Sequence, residues 1–312
     1  MTGLKKIFAS GKLVKMAVCL PEISAVSWSS FMTGTDPGNH GIFGFTDLET
    51  GTYDYRFPNF RDLQTPTFFD ELGAKKKRSV IINLPSTYPV RAIHGVLVAG
   101  FVAIDLKRAV YPLKYLPFLA GCGYRVDIDA GKGKDKKTEF IADLHDSLKK
   151  RKAAADFFLE QEKWDLFMFT ITGTDRLHHF LFDAYPDKDH PFHDEFLDYY
   201  REVDNIIGDL FDTISKKHDF ETIILSDHGF GLIQNEVYLN PILKRYGFFE
   251  TGPGDLTALD CITGKAKAFA VDPSRIFVHL KGKFPRGNVT NDDYDKVREE
   301  LKQLFEEYKI ND

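Results

Sequence analysis

Apolar positions along the chain fall into two kinds of segment. Short, almost continuously apolar runs at Val14–Leu20, Ser79–Leu84, Gly95–Val102, Asp165–Thr172, Thr222–Ser226 and Ile276–Leu280 predict strands, several of them covered on both faces. Thr138–Glu162, Asp194–Lys217 and Asn291–Tyr308 instead carry apolar residues at helical spacing and predict long amphipathic helices. Shorter helices are predicted at residues 5–9, stopped by Gly11, after Ser24, ended by Gly34, and at Pro66–Leu72, with Gly73 just beyond. Gly38–Gly41 reads as a turn and the aromatic stretch 46–64 as an irregular surface loop. Residues 104–137 give mixed signals broken by Gly121 and Gly123. Strands alternating with long helices predict an α/β fold, a doubly wound, mostly parallel sheet flanked by helices. With no internal repeat and no obvious linker, residues 1–312 read as a single domain.

Composition narrows the function classes. The 43% apolar and 14% aromatic content supplies a large core, and the net charge of −5 argues against a general nucleic-acid binder. The basic clusters Lys75–Arg78 and Lys149–Lys152 are short and read as solvated surface. Cys19, Cys122 and Cys261 show no CxxC spacing, so neither a disulfide framework nor a thiolate zinc site is expected. No run reaches membrane-spanning length and no signal-type apolar core precedes Gly11, which predicts a cytoplasmic protein. Gly131-Lys132-Gly133-Lys134 lacks the Walker spacing and reads as a flexible loop. No GxGxxG follows a strand, which disfavours a nucleotide-dependent dehydrogenase.

Three stretches carry chemistry. In Ile23-Ser24-Ala25-Val26-Ser27-Trp28-Ser29-Ser30, Ser24 follows a predicted strand and precedes a helix N-terminus, whose free N–H groups and partial positive charge suit an anion. Thr174-Asp175-Arg176-Leu177-His178-His179 and Ser226-Asp227-His228-Gly229-Phe230-Gly231 supply metal-ligand types. Ser24, Asp175 and Asp227 would each lie at the carboxyl end of a strand, where open α/β sheets place their ligands. Asp175 and His179 are four apart and share a face if a helical turn starts there, while Asp227 and His228 suit a tight turn. Carboxylate with imidazole favours zinc or manganese over calcium. Each aspartate alone, like Ser24, is an ordinary helix cap, but the repetition of Asp with His favours a site. His178 reads as structural or substrate-facing rather than metal-binding, His40 as fixing its Gly-flanked turn ahead of facing the site, His190 and His193 as surface, and Trp28 and Phe31 as core.

The order and wording of these stretches resemble the alkaline phosphatase superfamily, in its type I phosphodiesterase and nucleotide pyrophosphatase branch. The likeness runs from the first predicted strand to about residue 290. It implies a metal-dependent phosphohydrolase acting on a phosphate-ester or nucleotide substrate, with Ser24 as nucleophile and a covalent phospho-enzyme intermediate. It implies two divalent metal ions, one held by Asp175 and His179, the other by Asp227, His228 and Ser24. Ser27 stands where nucleotide pyrophosphatases carry an asparagine that holds a phosphate oxygen. Residues 104–137 would be an inserted cap.

The same likeness implies an upstream aspartate on a first strand and a late histidine. The first 23 residues hold only Glu22 as an acid, and His279 reads as a strand residue, with a ligand role as the lesser alternative. The resemblance thus implies a domain incomplete at both ends, and leaves as the alternative a non-catalytic domain of the same fold that binds an anionic ligand or a protein partner. A sulfatase is excluded, because Cys19-Leu20-Pro21-Glu22 continues with Ile23 where C/S-x-P-x-R needs arginine.

Overall fold

The computed structural model describes residues 2–252 and 259–310. The chain divides into two compact units, Met1–Gly44 with Pro58–Leu232, and Phe45–Phe57 with Ile233–Asp312.

The larger unit is built on a four-stranded sheet, in the order Val110–Tyr111, Gly95–Ala99, Ser79–Leu84, Leu166–Phe169. The last three strands are parallel, with Ile81 beside both Leu97 and Met168, and Val110–Tyr111 is antiparallel. Both faces of the central strand are covered. Val80 and Ile82 pack with Phe140 and Leu144 of the helix Lys137–Gln161, with Leu177, and with Phe196 and Tyr199 of the helix His193–Ser215. Ile81 and Leu84 pack on the other side with Trp28, Met32, Phe60 and Phe69. A bulge at Asn83, whose φ of 63° asparagine tolerates, turns Leu84 to that opposite face. Two-sided burial is why this strand reads as an unbroken apolar run. Ile81 is fully buried, so Ile81→Val is expected to cost about 1 kcal/mol in chemical denaturation, the price of one lost methylene in a packed core.

The structure corrects two of the predicted strands. Val14–Leu20 and Thr222–Ser226 belong to no strand. Several of their apolar side chains face solvent, with Val14 65%, Leu20 74% and Ile223 84% exposed, while Leu225 packs against the cluster that holds Trp28 and Met32. Composition makes a segment fit for a sheet, but a strand exists only where a neighbour completes its hydrogen-bond ladder. Among the described residues no ladder bond reaches either segment, and the sheet ends at Leu166–Phe169.

Smaller departures have local causes. The helix predicted at Pro66–Leu72 runs Phe68–Ala74, because Thr67 and Asp70 form a reciprocal capping box that fixes its start. Gly38–Gly41 begins as one turn of helix, Pro37–His40, capped by the Asp36 side chain. Residues 104–137 place Tyr115, Leu119, Tyr124 and Val126 in the same core as the sheet. The Lys149–Lys152 cluster is not all solvated surface: Arg151 is buried, donating to Thr172 Oγ1 at 2.7 Å and to the Val126 carbonyl at 2.6 Å. All three cysteines are free. Among the described residues no helix is long and apolar enough to cross a membrane.

The smaller unit contains the antiparallel hairpin Ala268–Asp272 with Arg275–Val278, the helix Asn291–Glu307, and a short ladder of Asp47–Leu48 with Tyr55–Arg56 inside the stretch predicted to be irregular. His279 follows the hairpin and is fully buried. Its Nδ1 donates to the Ala266 carbonyl at 2.9 Å and its Nε2 accepts from Tyr53 at 2.6 Å. Burial holds its pKa below the usual histidine value. Both ring nitrogens are therefore spent inside this unit's core.

Candidate active site

Ser24 opens the helix Ser24–Thr33, with Ile23 as its cap residue and Gly34 closing it in the left-handed conformation at φ 64°. The Ile23 carbonyl takes the N–H groups of Val26 and Ser27. The N–H groups of Ser24 and Ala25 precede the first intrahelical bond and stay available at the helix start. Asp175, Arg176, His178 and His179 lie on the helix Gly173–Leu181, which follows the edge strand Leu166–Phe169 directly. Gly173 is required there, since a Cβ would lie 1.8 Å from the Tyr199 hydroxyl oxygen. Asp227 and His228 sit on the extended loop after the His193–Ser215 helix, not at the end of a strand.

These segments converge although only one of the three predicted strand ends exists. Ser24 Oγ lies 2.9 Å from His228 Nε2. That nitrogen is 3.5 Å from Asp227 Oδ2 and 3.6 Å from Asp175 Oδ1. His179 Nε2 is 3.4 Å from the same Asp175 oxygen, so the i,i+4 spacing does put both on one helix face. His228 Nδ1 faces the Gly229 carbonyl at 2.9 Å. A carbonyl only accepts, so Nδ1 carries a proton and Nε2 is the nitrogen that meets Ser24. Ser27, one turn beyond Ser24, is buried with a hydroxyl that lacks a partner.

The electrostatics separate the two carboxylates. Burial pushes Asp175 up, but His179, Arg176 and His228 outweigh it and hold its carboxyl below the usual aspartate value. Burial pushes Asp227 up and prevails over His228 and the Ser24 hydroxyl, with the Asp175 charge adding to the rise. Asp175 Oδ1 is buried with only long approaches from His179 Nε2 at 3.4 Å and His228 Nε2 at 3.6 Å and no well-aligned hydrogen bond, an arrangement whose cost a bound cation would remove. The donor set, two carboxylates and two imidazoles, suits zinc or manganese. It is an open set, since among the described residues no three His, Cys, Asp or Glu side chains form a ready cation cage.

Neighbouring residues brace the site. Phe230 lies edge-on to His178 and His179 at 4.8 and 5.0 Å and tilted against His228 at 5.2 Å, pinning the loop to the helix. His178 stacks on Phe196 and shares a 2.7 Å hydrogen bond with Tyr200, and it also lines the cavity that reaches Asp175. Burial lowers the His178 pKa and pushes Tyr200 up to about 12. His40 is fully buried, hydrogen-bonded to Ser30 at 2.9 Å. Sequence reasoning missed Arg151, which holds Thr172 at the helix start, and Arg176, whose only signal was its place beside Asp175. A largely apolar cavity of about 600 Å³ runs along the free edge of Leu166–Phe169, past Ile207 and Leu210, and reaches Ser24, Asp175 and His228.

Comparison with known proteins gives one solved structure, the phosphonoacetate hydrolase of Sinorhizobium meliloti 1021 in complex with phosphonoformate. Identity is 17% over 68% of this chain, with a TM-score of 0.44. The chain spans 48% of that protein's length. A search of curated proteins finds no match. The profile described as type I phosphodiesterase / nucleotide pyrophosphatase matches residues 1–312, and the chain belongs to that family.

Proposed function

We propose that this chain is a metal-dependent phosphoester hydrolase of the phosphodiesterase and nucleotide pyrophosphatase type, on an alkaline phosphatase-like fold, with Ser24 as its nucleophile. The observation that carries this reading is the 2.9 Å approach of Ser24 Oγ to His228 Nε2, with Asp175 and Asp227 within 3.6 Å of that nitrogen. Asp175 and His179 would hold one divalent cation, and Asp227 and His228 with Ser24 a second, zinc or manganese. Bound there, the cations would supply Lewis-acid stabilisation of the serine alkoxide and of the phosphoryl oxygens.

The chain's own groups do the rest. Ser24 Oγ would attack phosphorus as the bond from phosphorus to one ester oxygen breaks, that group leaving as its alcohol with the proton given up by the serine. Water would then cleave the Ser24–phosphorus ester, restoring the hydroxyl and releasing the remaining phosphomonoester. The free N–H groups at the start of its helix face an anion with the favourable end of the helix dipole. The unpartnered Ser27 hydroxyl is the candidate donor to a non-bridging oxygen.

A second reading, a non-catalytic domain that binds an anion or a protein partner, is favoured by the open donor set. Metal analysis and turnover separate them. Purified without chelator, the chain is expected to carry two zinc or manganese ions. It should hydrolyse bis(p-nitrophenyl) phosphate, lose activity in chelator and regain it on adding either metal. One ion or none, with no hydrolysis of diester or monoester under any divalent metal, would favour the second reading.

A further inference from the structure

Arg176 follows Asp175 in sequence, so its cation starts beside a carboxylate that the proposed function assigns to a metal. Its Nη1 lies 3.5 Å from Asp175 Oδ2, at the outer range of an ion pair. The guanidinium is turned elsewhere. Its Nε and Nη2 donate to the two oxygens of Asp127, at 3.2 and 2.5 Å, in a bidentate fork. The same guanidinium lies 4.1 Å from the centre of the Phe101 ring. Both members of the pair are mostly buried, with side-chain exposures of 12% for Arg176 and 19% for Asp127. Asp127 is 49 residues away in the 104–137 stretch.

A guanidinium this close to Asp175 has two choices of carboxylate. A fork onto Asp175 would occupy the oxygens that a metal needs and would set a positive charge against the incoming cation. A fork onto Asp127 neutralises that charge and leaves Asp175 Oδ1 with no well-aligned hydrogen bond, facing His179 and His228. We infer that Asp127 is a positioning residue: it holds Arg176 off Asp175 and so keeps that carboxylate available to a divalent cation. The inference rests on reading Asp175 as a cation ligand. It also ties the 104–137 stretch to the site through one ion pair.

The test is manganese affinity, measured by titration calorimetry on the full chain, with a melting curve for every variant. Asp127→Asn frees Arg176 to pair with Asp175 and is expected to weaken binding about tenfold or more, the scale of one uncompensated charge at this distance. Asp127→Asn combined with Arg176→Met removes the competing charge and is expected to return the affinity to within about threefold of wild type. A purely structural role for the pair would lower the melting temperature of Asp127→Asn and leave manganese affinity unchanged wherever the variant is folded. Should the asparagine variant be unfolded at the assay temperature, Asp127→Ser carries the same expectation.

Unchanged affinity in Asp127→Asn, or a loss that the double variant fails to restore, overturns the inference. Asp175→Ala separates the two levels. If it abolishes binding while Asp127→Asn does nothing, only the positioning role falls. If it binds manganese like wild type, or wild type binds none, the ligand assignment falls as well.

Discussion

Ser24→Ala is expected to reduce phosphodiester hydrolysis at least about a thousandfold if Ser24 is the proposed nucleophile, since the covalent route would be removed and not merely one contact. The folded state should barely notice. Ser24 is half-buried at the first helical position, where alanine is a good helix former, and the loss is one hydrogen bond to His228, about 1 kcal/mol. Manganese binding should weaken modestly, because Asp175, His179, Asp227 and His228 remain. Ser24→Thr, which keeps a hydroxyl on the same atom, should retain measurable turnover. Steady-state kinetics with bis(p-nitrophenyl) phosphate, beside a melting curve, reads both effects. An alanine variant as active as wild type would remove Ser24 from the mechanism, and one that fails to melt cooperatively would show that its role was structural.

Why this serine could be picked out, and other features could not, follows from how far each signal reaches along the chain. Local signals served well. The predicted helix Thr138–Glu162 is observed at Lys137–Gln161, and the strand Ser79–Leu84 is observed as predicted, because each is set by periodicity or two-sided burial within its own residues. Asp175 and His179 share a face because the helix between them is local. Val14–Leu20 and Thr222–Ser226 fail for the complementary reason. Their composition suits a strand, but a strand also needs a partner, and partner identity is not a property of the segment.

The contacts that assemble the site are longer still. Ser24 meets His228 across 204 residues, and Arg176 meets Asp127 across 49, spacings that no periodicity encodes. The motif order pointed to the first through its resemblance to a family, and nothing pointed to the second. Arg151 was misread because a run of basic residues usually faces water. Here the helix turns one member inward, where Thr172 and the Val126 carbonyl satisfy its charge-bearing donors.

The same reach of contact governs the largest expected loss of stability. The helix Gly3–Ser10 has no side-chain cap of its own at Thr2. Its free N–H groups are taken by Asp204, on the His193–Ser215 helix, whose carboxylate accepts from Thr2 at 2.6 Å, Gly3 at 3.0 Å and Leu4 at 2.8 Å. The approach is close because both helices carry glycine at the crossing: a Cβ on Gly3 would lie 2.1 Å from the Asp204 carbonyl oxygen, and one on Gly208 would lie 2.8 Å from the Gly3 Cα. Asp204→Ala leaves three backbone donors without their charged acceptor and is expected to cost about 2–4 kcal/mol, more than an ordinary cap because the acceptor is buried and charged.

The pH dependence has a definite sign. Burial alone would raise the Asp204 pKa, but the three N–H donors outweigh it and hold the carboxyl below the usual aspartate value. Its stabilisation is therefore complete above the unfolded value of about 4 and is lost as pH falls through the lower folded value. Chemical denaturation at pH 7 and at pH 3 should show a gap between wild type and Asp204→Ala that narrows in acid. Hydrogen exchange should show residues 3–10 losing protection first, since local release of this helix is the cheaper opening. A gap that stays constant down to the acid limit would mean that the carboxylate's charge contributes nothing and that the loss comes from packing alone.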